Sequence, residues 1–127
     1  MKILLDTHML LWLLTGDKML SRKARKLIED EANEIYFSSV SIAEIANKHN
    51  FKPEQMPIEA AEVREEALAA NLNELVFDGN HAARLSDLPQ HHRDPFDRML
   101  VAQALGSQMS LLSHDDFVLM YDGTLKD

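Results

Sequence analysis

Lys2-Ile3-Leu4-Leu5-Asp6-Thr7-His8-Met9-Leu10-Leu11-Trp12-Leu13-Leu14 joins a short apolar run to a longer one through a single acid. The first run has the length and composition of a buried strand, and Thr7 opens a helix that packs back on it. Gly16 and Asp17 break the pattern. Working outward, the same unit recurs. Residues 34–38, Glu-Ile-Tyr-Phe-Ser, read as a strand followed by a helix over about 41–49 with Ile42, Ile45 and Ala46 as its core stripe. Residues 73–77 read as a strand before a short helix over 80–85, and residues 110–113 as a strand directly before Asp115. A helix beginning at Ser21, an acidic amphipathic helix over 58–70 and a helix from Pro95 to about Leu105, stopped at Gly106, fill the intervals. Alternating strands and helices imply an α/β fold, a three-layer α/β/α sandwich with a central, mainly parallel sheet.

With 127 residues the chain suits one domain, 1–127, able to bury a core without staples. Hydrophobic residues at 46% and charged residues at 27% argue against extended disorder. There is no cysteine, so disulfides play no part in the fold. Asp6 interrupts the start before a secretory apolar region could form, and Met9 to Leu14 is too short to cross a bilayer, which needs roughly 20 residues. A cytoplasmic, membrane-free protein is expected. The net charge of −8 counts against passive nucleic-acid binding, and less against a nuclease whose clustered acids are part of that surplus. Lys48, Lys52, Arg93 and Arg98 are the basic residues placed to guide a phosphate backbone.

Four acids stand where strands end or helices begin: Asp6, Glu44, Asp97 and Asp115. Each has a structural explanation. Asp6 fits a helix N-cap, Ser41-Ile42-Ala43-Glu44 a capping box, Asp94-Pro95 an N-cap with proline at N1 that sets Asp97 at N3, and Asp115 a cap after the last strand. Capping gives no reason, however, for acids to recur at the same end of successive units. In a parallel sheet those ends open on one crevice. Carboxylates gathered there suit a hard divalent cation, and the helix dipole helps keep them ionised. The six histidines, His8, His49, His81, His91, His92 and His114, match no zinc spacing, so histidine is not expected to carry the site.

Leu4-Leu5-Asp6-Thr7-His8, then Ser39-Val40-Ser41-Ile42-Ala43-Glu44-Ile45, then Asp94-Pro95-Phe96-Asp97-Arg98-Met99-Leu100-Val101-Ala102-Gln103-Ala104, and finally Leu112-Ser113-His114-Asp115 together resemble the PIN-domain family, and more narrowly its VapC-type toxins. The stretch from Asp94 to Ala104 is the most specific part. The resemblance implies a Mg²⁺- or Mn²⁺-dependent endoribonuclease. Asp6, Glu44, Asp97 and Asp115 fall on the family's four acids, with Asp116 competing for the fourth place. Asp94 is an additional acid, and Thr7 and Ser113 are hydroxyls beside the site. It also implies an RNA substrate, a cognate antitoxin that covers the acidic pocket, and a homodimer. Trp12 and the methionines, Met9 and Met99 among them, read as core or interface filling. Two rivals stay open: a PIN-like module that binds RNA or protein without cutting, and a phosphatase using Asp6 as nucleophile, which usually shows Asp-x-Asp where this chain has His8.

Overall fold

The computed structural model describes residues 1–127. Five strands, β1 (Lys2–Leu5), β2 (Glu34–Ser38), β3 (Asn73–Leu75), β4 (Ser110–Ser113) and β5 (Thr124–Lys126), form one sheet in the order β3-β2-β1-β4-β5. Every pairing is parallel; Ile3 of β1 stands level with Ile35 of β2 on one side and Ser110 of β4 on the other. Six helices connect and cover the sheet: α1 (Thr7–Thr15), α2 (Arg22–Glu29), α3 (Ser39–Phe51), α4 (Ala60–Ala69), α5 (Gly79–Ala83) and α6 (Pro95–Gly106).

The central strands carry continuous apolar runs, Ile3 to Leu5, Ile35 to Phe37 and Leu111-Leu112, because both faces are covered. Ile3, Leu5, Ile35, Phe37 and Leu112 enter a core with Met9 and Leu10 of α1, Ile45 of α3 and Val63 and Ala67 of α4. Leu4 and Leu111 point the other way, into a second core with Leu100, Val101 and Ala104 of α6. Trp12 is only half-buried, against the rim of the first core, while Met9 is fully enclosed and Met99 partly so.

Four local expectations are corrected. Helix α3 starts two residues earlier than its sequence suggests, capped by Ser38, whose hydroxyl accepts the Val40 N–H at 2.9 Å. No capping box joins Ser41 and Glu44; Glu44 therefore lies well inside the helix, and Ala46 faces solvent rather than the core. Gly106 is the last residue of α6 rather than its stop, and the left-handed position falls on Gln108, φ 56°. A Cβ on Gly106 would meet the Arg84 side chain at 3.0 Å and the His81 ring at 3.2 Å, so a larger residue there would have to displace them. Strand β5 has no forecast in the sequence; it is three residues long and follows Gly123 in the left-handed region, φ 74°.

Gln103, wholly buried on α6, ties this helix to the sheet. The Ser38 hydroxyl donates to its Oε1, and its Nε2 donates to the Leu75 carbonyl at 3.1 Å. Gln103→Leu roughly keeps the volume but leaves the buried Ser38 hydroxyl and the half-buried Leu75 carbonyl without this partner. An unpaired buried polar group costs ~1–3 kcal/mol, so urea denaturation should show a loss of about 2 kcal/mol.

Candidate active site

All five strands run the same way, so their carboxyl ends share one edge, where Asp6, Glu44, Asp97 and Asp115 gather. Asp6 leaves β1 and caps α1, its Oδ1 accepting the Met9 N–H at 2.9 Å. It is nearly enclosed, and burial raises its pKa above the ordinary value, as does the charge of Glu44. The Ser113 hydroxyl, the Met9 N–H and His8 offset part of this.

Glu44 comes from α3 and is 5% exposed. Both of its oxygens are engaged: the Thr7 hydroxyl donates to Oε1 at 2.7 Å, and Lys48, one turn on, approaches Oε2 at 3.0 Å. Ser41 Oγ lies 2.9 Å from the same Thr7 hydroxyl. Thr7 and Ser41 thus fix the carboxylate that a capping box would have turned away.

Asp94 caps α6, accepting the N–H groups of Phe96 and Asp97 at 2.8 and 3.2 Å, with Pro95 at N1. That geometry aims Asp97 into the cluster. Burial, followed by the charges of Asp94 and Glu44, pushes its pKa up to about 7; His92 works against them, and Asp6 adds to them. Asp115, after β4, accepts the Phe117 and Val118 N–H groups at 2.8 and 3.3 Å. Burial opposes its charge, but those N–H groups and His92 outweigh it and hold its carboxyl below the usual range. Asp116 is exposed, so Asp115 is the acid that meets the cluster.

The residue the sequence reading set aside is His92. Its Nε2 lies 3.0 Å from Asp97 Oδ2 and 3.3 Å from Asp115 Oδ2. The Asp94 N–H donates to its Nδ1 at 3.1 Å, which turns the ring so that Nε2 faces both carboxylates. The signal was local: His92 stands two residues before the cap of an acid-bearing helix. What positions it is not local, since Tyr121 Oη accepts the N–H groups of His91 and His92 at 3.1 and 3.0 Å. Removing the imidazole, as in His92→Ala, should let Asp97 titrate higher than about 7 and return Asp115 toward its ordinary value, readable from carboxyl carbon NMR shifts in metal-stripped protein.

The basic residues divide. Lys48 is committed to Glu44, and Arg98 is a strut, donating to the carbonyls of Leu85 and Pro89 and to Tyr121 Oη. Lys52 and Arg93 are exposed.

The donors of Asp97, Asp115 and His92 lie within 4.8 Å of one another. Crowded, half-buried carboxylates of this kind fit a divalent cation, whose charge would offset the burial and the neighbouring acids that push the Asp97 pKa up to about 7. A cavity of about 240 Å³ lined by Asp6, His8, Trp12, Met19, His114 and Asp115 opens beside them. The largest cavity, about 720 Å³, borders Glu34, Ile35 and Asn73 at the opposite edge of the sheet, away from the acids.

The PIN domain family model matches residues 3–119. The chain belongs to the PIN domain family. Among solved structures this PIN domain is similar to VapBC2 from Rickettsia felis bound to a DNA fragment from their promoter, with TM-score 0.71 and 14% identity over 100% of this chain and 98% of that one. DNA-bound VapBC from Salmonella typhimurium gives TM-score 0.68 and 15% identity over 100% and 97%, and a toxin-antitoxin complex from Klebsiella pneumoniae gives 0.64 and 19% over 97% and 95%. These likenesses establish the PIN fold. No curated protein sequence matches the chain. No helix of the PIN domain is long and apolar enough to cross a membrane.

Proposed function

We propose that this PIN domain, one unit over residues 1–127, is a metal-dependent endoribonuclease of the VapC type and the toxin of a toxin-antitoxin pair. The observation that carries the proposal is the convergence of four acids at one sheet edge, one of them raised to a pKa of about 7. A capping role alone does not call for that expense.

Asp6, Asp97 and Asp115 would hold a Mg²⁺ or Mn²⁺ ion, with Glu44 adding negative charge from behind. When bound, the cation makes a hydroxide nucleophile available at neutral pH and draws charge from the phosphoryl oxygens of RNA. The chain's part is placement. Thr7 and Lys48 keep Glu44 in one orientation, and the α6 cap fixes Asp97. The Phe117 and Val118 N–H groups keep Asp115 ionised, ready as a ligand. No serine, cysteine or histidine nucleophile is needed.

An antitoxin partner and a homodimer belong to the same proposal. The similar structures are toxin-antitoxin complexes, and this chain exposes Met19, Phe51 and Val76 at its surface. Incubating metal-stripped protein with a mixed tRNA, rRNA and messenger pool tests the activity, Asp97→Asn purified alongside controlling for contamination. Cleavage by wild type on adding Mg²⁺ or Mn²⁺, and none by the variant, is expected. Equal cleavage by both, or none by wild type across the pool, overturns the proposal.

A further inference from the structure

Next to the acid cluster, on the far side of His92, lies a hollow of about 340 Å³ lined by Gln90, His91, His92, Arg93, Asp94 and Phe117. Phe117 forms one wall and is 59% exposed, an uncovered aromatic ring beside a polar site. The ring is held at a fixed place: its own backbone N–H donates to Asp115 at 2.8 Å, and it meets His92 edge-on at 5.6 Å between centroids. Across the hollow, Arg93 is exposed and belongs to none of the chain's ion pairs. Gln90 offers a solvent-facing amide. An adjoining hollow of about 400 Å³ shares Gln90, His92 and Arg93 and adds Arg98, so this flank concentrates guanidinium groups on a molecule of net charge −8.

We infer that this hollow is a nucleobase subsite: an unpaired base of a single-stranded RNA stacks on Phe117, its edge meets Gln90, and Arg93 holds a neighbouring phosphate. The inference rests on the nuclease reading and names how that site grips its substrate. Geometry favours it, because His92 touches both acids and lines the hollow, so a phosphodiester at the acids carries its adjacent base to Phe117. The chemistry also fits single-stranded RNA, which is read by splaying bases onto aromatic rings and guanidinium planes. A duplex would present no free base face here.

Binding is measured separately from cleavage. Metal-stripped wild type, F117A, F117Y and R93A are titrated with short fluorescent single-stranded RNAs of each base and with an abasic ribose-phosphate strand, and followed by anisotropy. Stacking is worth enough that F117A should weaken base-bearing strands by roughly 5- to 150-fold. F117Y should bind like wild type, and the abasic strand should not distinguish F117A from wild type. R93A should weaken all strands alike and lower the salt slope by about one. Because Phe117 is exposed and its capping N–H survives in F117A, unchanged circular dichroism is expected. Base-bearing strands that bind F117A as well as wild type overturn the subsite. Cleavage by wild type with unaltered F117A binding removes the subsite and leaves the nuclease standing; absence of wild-type cleavage removes the nuclease reading itself.

Discussion

Asp97→Asn should abolish RNA cleavage and make the metal-stripped protein more stable. The carboxylate is inside the cluster, where burial first and then the charges of Asp94, Glu44 and Asp6 act against its ionisation. Losing it as a ligand forfeits several kcal/mol of transition-state charge stabilisation, on the order of 10³-fold in rate. The stability gain comes from the same burial and crowding. Asp97 is raised from 3.8 to about 7 on folding, so between those values the folded state holds more protons than the unfolded one. Stability therefore falls as pH rises through that window; the penalty is absent below about 3.8 and complete above about 7. A tenfold change in proton affinity is worth ~1.4 kcal/mol. The side chain keeps 21% of its surface, and water there softens the penalty. Denaturation at pH 8 should thus find Asp97→Asn more stable by about 2 kcal/mol, and the difference should vanish near pH 4. A variant less stable at pH 8 would mean that the acid is an ordinary N3 residue serving its helix.

The second large effect is on cation binding. A ligand that titrates at about 7 must give up its proton before it coordinates. Mn²⁺ affinity of metal-stripped protein should be flat above pH 7 and fall roughly tenfold per pH unit below it, so that pH 5 is about 100-fold weaker. Asp6, also raised, adds to this pH dependence, while Asp115, held below the usual range, stays charged throughout. Calorimetry in two buffers of different ionisation enthalpy would count the released proton directly. A pH-independent affinity from 5 to 8 would exclude Asp97 from the ligand set.

Much of this was legible in the sequence because strands buried on both faces leave plain apolar runs. Ile3 to Leu5 and Leu111 to Leu112 can hardly be anything else, and Asp94-Pro95 announces a helix start that places Asp97 at N3. Physical reasons also account for the misses. Ser41-Ile42-Ala43-Glu44 imitates a capping box, but Ser38 ends β2 and caps α3 at once, with no loop between, which carries Glu44 into the interior to meet Thr7. Strand β5 contains one apolar residue, Leu125, too little for a periodic signal. His92 depends on the 88–94 loop being pinned by Tyr121, nearly thirty residues away, and on a hydrogen bond from Asp94 that orients its ring. The first relation leaves no trace in spacing.

Mn²⁺ titration of metal-stripped wild type, Asp97→Asn, Asp115→Asn and, as a control on the exposed acidic face of α4, Glu62→Gln, followed by electron paramagnetic resonance at pH 8, is the most direct test of a shared cation site. Tight binding by wild type and Glu62→Gln, with both aspartate variants weakened by about 100-fold, is the predicted result. Binding that is equal across all four proteins would contradict it and leave these acids as the caps they also are.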